Sequence, residues 1–302
     1  MKMKKRIYFP LLLTLLASLV FGVLPVGSGV AYANPGWVSP TGNVPNGWID
    51  PANAHDENTL TYATFTFGGA AGWGNYIELT LDAAIFCDRV QIWSDRDNVK
   101  ITQIEVDVYY SDGWKNIYSG LLVVGSYQEY VIGSTQSVTK MQVRYYQDAN
   151  KLYIASLYEA ACWEVPPDIS NDSATGNNYA FGTVDAGSST KTGLTYFTVT
   201  NNSAFNVNIT ISGSDMEGGV TWTLSEDAST GTNIYGLRAG RAGEVEGNDY
   251  LTVVPKSSAN PLVSDLAGEG GTQQWGLQFL APDTFTDGGS KSGTVTLTAT
   301  QA

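Results

Sequence analysis

The 302-residue chain reads as an all-β protein, two β-sandwich modules in succession behind a short N-terminal leader. Three observations predict this. No helical periodicity appears beyond residue 33. Period-two alternation recurs instead, at Ile77-Glu78-Leu79-Thr80-Leu81, Ile104-Glu105-Val106-Asp107-Val108-Tyr109, Met141-Gln142-Val143-Arg144-Tyr145, Val207-Asn208-Ile209-Thr210-Ile211 and Val295-Thr296-Leu297-Thr298-Ala299. That pattern buries one face of a strand and leaves the other in water. Turn formers punctuate the runs: Asp112-Gly113 predicts a hairpin, and Gly213, Gly218-Gly219, Gly270-Gly271 and Gly288-Gly289 mark further breaks. Many short strands at such spacing build sandwiches or jelly rolls. Hydrophobic residues make up 43% and charged residues 15%, which excludes a disordered chain and supplies two cores.

The leader comes first. Lys2, Lys4, Lys5 and Arg6 precede an apolar stretch over residues 7–26, and Ala31-Tyr32-Ala33 follows. Basic start, apolar middle and small-x-small exit are the plan of a secretory signal peptide, here residues 1–33, with a lysine-rich beginning of bacterial kind. An N-terminal membrane anchor is the alternative. With the leader removed, 12 basic residues face 29 acidic ones. Such a chain is expected to be soluble and to repel nucleic acid and anionic membrane surfaces. No second apolar run is long enough to span a membrane. The product is expected outside the cell, released or held at the cell surface by non-covalent contacts.

Two cysteines, Cys87 and Cys162, in an exported chain predict one disulfide. Closing a loop of about 75 residues would be worth roughly 4–5 kcal/mol in the chain-entropy picture. Two buried free thiols are the alternative. Residues 166–178, opening with Pro166-Pro167, are poor in apolar side chains and read as a linker. They separate a Tyr- and Trp-rich module, residues 34–165, from a Thr-, Ser- and Gly-rich one, residues 179–302.

In the first module the order of motifs carries a resemblance. Ala54-His55-Asp56-Glu57-Asn58-Thr59-Leu60-Thr61 precedes Asn75-Tyr76-Ile77-Glu78-Leu79-Thr80-Leu81, then Val90-Gln91-Ile92-Trp93. Val108-Tyr109-Tyr110-Ser111-Asp112-Gly113-Trp114, Met141-Gln142-Val143-Arg144-Tyr145 and Leu157-Tyr158-Glu159-Ala160 complete the series. In this order they resemble the discoidin-type galactose-binding jelly roll, the fold of coagulation-factor C domains and of many bacterial carbohydrate-binding modules. Glu57 stands where the family's turn carries glycine, and Ala63 where tryptophan is common.

The resemblance implies a structural Ca2+ between the early loop and the closing strand, held by Asp56, Asn58, Thr61 and Glu159. Calcium takes six to eight oxygens from such groups; the alternative is that Asp56 and Asn58 cap a turn. It also implies a glycan or cell-surface polymer bound by loops at one end of the sandwich. Aromatics outside clean strand patterns are candidates there, Trp73 and Trp114 first, with Trp48 and Tyr153 behind them; Arg96 and Asp97 are polar candidates. The alternative for each tryptophan is a place in the core.

In the second module, Tyr196-Phe197-Thr198-Val199-Thr200-Asn201-Asn202 resembles the second strand of many bacterial surface sandwiches, of immunoglobulin-like or related kind. The module's Trp222-Thr223-Leu224 and Trp275-Gly276-Leu277 units are similar to those of proteins that attach non-covalently to peptidoglycan; buried Trp and Leu pairs are the alternative. His55 is the chain's only histidine, so histidine relays and histidine-rich zinc sites are poorly supplied. The function expected is non-catalytic carbohydrate binding or adhesion. A structural subunit of an extracellular assembly, which would self-associate, is the alternative, and a β-sandwich glycan hydrolase stands third.

Overall fold

A computed structural model describes residues 36–173, 176–244 and 250–302. The predicted leader, residues 1–33, lies outside the described residues. The chain divides into two compact units between Pro166 and Pro167.

The first unit is all-β. Its strands are β1 (Gly36–Val38), β2 (Gly42–Val44), β3 (Ala63–Thr66), β4 (Gly72–Trp73), β5 (Ile77–Arg96), β6 (Ile101–Tyr110), β7 (Gly113–Leu121), β8 (Tyr127–Gln147) and β9 (Ile154–Glu164). They pair antiparallel in the order β1-β9-β5-β8-β6-β7, with β2 beside β5, β3 beside β9 and β4 beside β8. β5 has 20 residues and β8 has 21; straight, each would run about 66 Å, too far for so small a unit. Their mutual register jumps between the pairs Thr80–Lys140 and Ile85–Val138, and again between Cys87–Gln136 and Arg89–Val131, as bulges do where a strand bends. Before the first jump, β5 and the end of β8 pair with each other, and β8 goes on to β6 and then β7; after it, β5 pairs with β9 and the start of β8. The two long strands thus serve both layers of a jelly roll. Ile77, Leu79, Val106, Val108, Met141 and Val143 from one layer share a core with Val90, Ile92, Leu157 and Ala160 from the other.

The β6–β7 hairpin turns one position earlier than the Asp-Gly signal suggests. Tyr110 pairs with Gly113, and the left-handed positions are Ser111 (φ 49°) and Asp112 (φ 60°). Positive φ at both central positions is what a tight hairpin needs to match strand twist.

The expected disulfide is corrected. Cys87 and Cys162 are buried free thiols. Cys87 pairs with Glu164 and Cys162 with Val90 across a bulged β5–β9 ladder, so the two are diagonal neighbours. Cys87 Sγ donates to the Arg89 carbonyl at 3.0 Å. The neighbouring Cys87 thiol, then burial, pushes Cys162 well above the usual thiol range.

The second unit has one sheet running Ile169–Ser173, Phe197–Asn201, Gly271–Leu280, Ile234–Arg241 and Thr223–Leu224, and another running Asn260–Leu266, Val207–Gly213 and Val295–Gln301. The first of these strands corrects the linker expectation: residues 169–173 pair in register with Phe197–Asn201. A short polar edge strand has the composition of a loop, because only one of its edges is paired and few of its side chains are buried. Trp222 and Trp275 are both fully buried. Trp275 stacks on Phe197 at 4.7 Å and donates Nε1–H to Asn171 Oδ1 at 2.8 Å. The Trp-x-Leu units are core, which is the packing alternative and not an exposed recognition motif.

Candidate functional site

Two clusters in the first unit carry chemistry. The larger lies on the outer face of the layer formed by β8, β6 and β7. Alternation sends Met141, Val143 and Tyr145 inward and Lys140, Gln142, Arg144 and Tyr146 outward. Register sets Arg144 opposite Glu105, Gln142 opposite Asp107 and Lys140 opposite Tyr109. On the far side of β6, Asp107 meets Asn116 and Tyr109 meets Trp114.

Arg144 is the centre. Its Nε and Nη2 donate to Glu105 Oε2 at 2.9 and 2.7 Å. Its guanidinium carbon lies 4.3 Å from the Tyr76 ring centroid and 4.9 Å from that of Trp73. Tyr76 Oη donates to Glu105 Oε1 at 2.9 Å; burial, then this carboxylate, pushes the phenol far up. Among the described residues Nη1 carries no intramolecular hydrogen bond. Beside it is a cavity of 480 Å³ lined by Asn46, Gly74, Asn75, Tyr76, Gln142 and Arg144. Gly74 is required there, since a Cβ would sit 2.6 Å from the Phe65 ring. Asp107 is almost fully buried, and its two oxygens accept from Asn116 Nδ2 at 2.8 Å and Gln142 Nε2 at 2.7 Å.

The second cluster is the loop of residues 55–61 against β9. Asp56 Oδ2 accepts from Thr61 Oγ1 at 2.7 Å, and Asp56 Oδ1 from Asn58 N at 3.0 Å. The same amide donates to Glu159 Oε1 at 2.8 Å, and Asn58 Oδ1 accepts from Leu60 N at 3.1 Å. Glu57 holds φ 60°, the left-handed geometry of the glycine it replaces. Glu159 is 3% exposed. Burial, then its contact with Asp56, pushes its carboxyl up to about 7. The structure therefore brings Asp56, Asn58, Thr61 and Glu159 together around one Asx turn, with the Asn58 amide donating to both carboxylates. Among the described residues no group of three or more His, Cys, Asp or Glu side chains is placed to hold a metal.

The other predicted residues separate. Trp73 and Trp114 sit on β4 and β7, on the outer sheet face and not in end loops. Trp73 packs edge-on to Tyr146 at 5.4 Å, and Trp114 to Tyr109 at 5.4 Å. Arg96 and Asp97 brace the β5–β6 turn. Arg96 donates to the Ile101 carbonyl, and Asp97 Oδ1 accepts from Ile154 N at 2.9 Å. Among the described residues none of these contacts reaches Trp73 or Trp114. Trp48 is a core residue with its indole N–H on the Asn75 carbonyl at 3.0 Å, and Tyr153 packs against the same core. Sequence reasoning missed Tyr76, Glu105, Asp107, Asn116, Lys140, Gln142 and Arg144. Each is an outward position of an alternating strand, or borders one, and becomes a site only through register.

No protein-family model matches the chain, and no curated protein matches it. Among solved structures it is similar to CBM32-3 from a family 31 glycoside hydrolase of Clostridium perfringens, with 16% identity, a TM-score of 0.33 and coverage of 42% of this chain and 90% of that one. It is similar to the family 32 CBM from C. perfringens NanJ in complex with galactose, with 16% identity, TM-score 0.32 and coverage of 38% and 84%. It is also similar to the CBM32 of AlyQ in complex with 4,5-unsaturated mannuronic acid, with 16% identity, TM-score 0.34 and coverage of 43% and 98%. These likenesses concern fold alone, and the strand pairing of the first unit is that of an all-β jelly roll.

Proposed function

We propose that this is an exported, non-catalytic carbohydrate-binding protein that takes its ligand on the outer sheet face at Arg144. The observation that carries this reading is the arginine itself. It is fixed by two hydrogen bonds to Glu105 and by the rings of Trp73 and Tyr76, at the wall of a polar cavity. A sugar ring offers an apolar C–H face and a rim of hydroxyls. This site offers aromatic rings beside amide and guanidinium groups already held in place, so little ordering cost falls on binding. Export rests on the leader motif.

In the same reading Ca2+ has a structural place at Asp56 and Glu159, helped by Asn58 and Thr61 and loop carbonyls. The Asn58 amide, which donates to both carboxylates, keeps the two side by side where a cation would take their oxygens. Its role would be to hold the loop on β9, away from the ligand.

The test is a glycan-array screen of the full chain beside its Arg144→Ala variant, each with Ca2+ and with a chelator. Binding to a defined set of glycans by the wild type, lost in the variant, supports the reading. Equal binding by both, or binding by neither, overturns it.

A further inference from the structure

The face around Arg144 continues well beyond the cavity, and its layout says what length and charge of ligand it fits. One end holds Trp73, Tyr76 and Tyr146; the other holds Trp114 and Tyr109, the latter opposite Lys140. From Lys140 to Tyr146 β8 advances six residues, about 20 Å. A single sugar ring cannot reach both ends. Between them lies a continuous row of hydrogen-bonding side chains, with Gln142 and Asn116 flanking Asp107.

The two cations of this strip are each matched by a carboxylate. Lys140 pairs with Glu78 at 2.8 Å, and Arg144 with Glu105 at 2.7 Å. The remaining charge, Asp107, is negative and covered by two amides. Among the described residues of the strip both cations, Lys140 and Arg144, are paired with carboxylates, and a polyanionic chain would meet a net negative strip.

We infer that the ligand is an internal stretch of an extended, neutral glycan chain, laid along β8 from the Trp73 end to the Trp114 end, and not a terminal or acidic sugar. This rests on the carbohydrate reading of the same face. Trp73 and Trp114 act as two stacking stations, and the amides between them take the hydroxyls of the intervening rings. Arg144 lies over the Trp73 ring, 4.9 Å from its centroid, and fixes the indole's position.

Calorimetric titration of the full chain with oligosaccharide ladders tests this. Neutral ladders of one to six rings from cellulose, xylan, mannan, galactan and chitin are compared with oligogalacturonates and oligomannuronates. One neutral ladder is expected to gain affinity with length, by about tenfold or more between its shortest binding member and the length that spans the face. Trp73→Ala and Trp114→Ala should each remove that gain, with thermal unfolding unchanged to show intact folds; Trp→Phe at either position should restore part of it. The inference is overturned by a monosaccharide binding as tightly as the hexamer, by an acidic ladder binding best, or by Trp114→Ala leaving the length dependence intact. No binding to any ladder overturns the carbohydrate reading itself, and the inference with it.

Discussion

Arg144 on β8 places two N–H donors on one carboxylate oxygen of Glu105 on β6, Nε at 2.9 Å and Nη2 at 2.7 Å. The pair is part-exposed, 27% for the arginine side chain and 15% for the glutamate, so its value to stability is small. Its effect is geometric, because it fixes the plane of the guanidinium. Glu105→Gln should lower glycan affinity about tenfold while costing about 1 kcal/mol or less in stability. Arg144→Lys should lose affinity similarly, since an ammonium keeps the charge but neither the fork nor the stacking plane. Titration calorimetry with chemical unfolding of the same variants checks both.

Calcium should act on stability and not on the sheet face. At a free concentration 100 times its dissociation constant, a cation bound only by the folded state adds about 2.7 kcal/mol. Calcium should therefore raise the thermal midpoint of the wild type, and chelation should lower it again. Asp56→Asn and Glu159→Gln should each abolish that response. Trp93, opposite Glu159 in the β5–β9 ladder, is the indole placed to report binding by fluorescence.

In the second unit a pH effect follows from Lys291. Its side chain is fully buried, with Asp287 at 2.8 Å and the Gly218 and Val220 carbonyls as further acceptors. The ammonium's hydrogen bond holds the Asp287 carboxyl below its ordinary 3.8. A carboxyl depressed by folding contributes stability that is present above its unfolded value and lost as pH falls through its folded one. Unfolding of the second unit should become easier below about pH 4. Asp287→Asn should remove that step and cost about 3 kcal/mol at neutral pH, because the buried ammonium loses its counter-charge. Denaturant titrations at pH 7, 4 and 2 read the difference.

Trp222 and Trp275 make the opposite prediction from a surface-recognition motif. Both are buried on aromatic neighbours, Trp222 on Phe285 at 5.4 Å and Trp275 on Phe197 at 4.7 Å. Replacing either by Ala should cost about 3–5 kcal/mol and lower the midpoint of the second unit. Titration of the Arg144-face ligand should be unchanged where both units remain folded.

Much of the architecture was legible because period-two patterns are local. Ile77-Glu78-Leu79-Thr80-Leu81 and Met141-Gln142-Val143-Arg144-Tyr145 declare their buried faces without any partner. The Asp56–Glu159 proximity was implied by the family resemblance of the first module. The sheet face was not legible, because Arg144, Glu105 and Tyr76 are far apart in sequence and meet only when β8 pairs with β6 in one register. A slip of one residue would turn Arg144 inward. Trp73 and Trp114 fall outside clean strand patterns in the sequence, and glycines on both sides of Trp73 look like a loop, yet Gly72 and Trp73 pair with β8. Arg96 and Asp97 were misleading for a similar reason. A charged turn looks available from sequence, while here its carboxylate and guanidinium are taken by backbone groups.

The most direct test is amide hydrogen exchange of the full chain with and without the tightest-binding glycan from the array. The account predicts new protection at residues 72–76 and 140–146 and at the facing stretch of β6, with residues 54–61 and the second unit unchanged. Protection confined to the 54–61 loop, to the turn at Arg96 and Asp97, or to residues beyond 167 would contradict it.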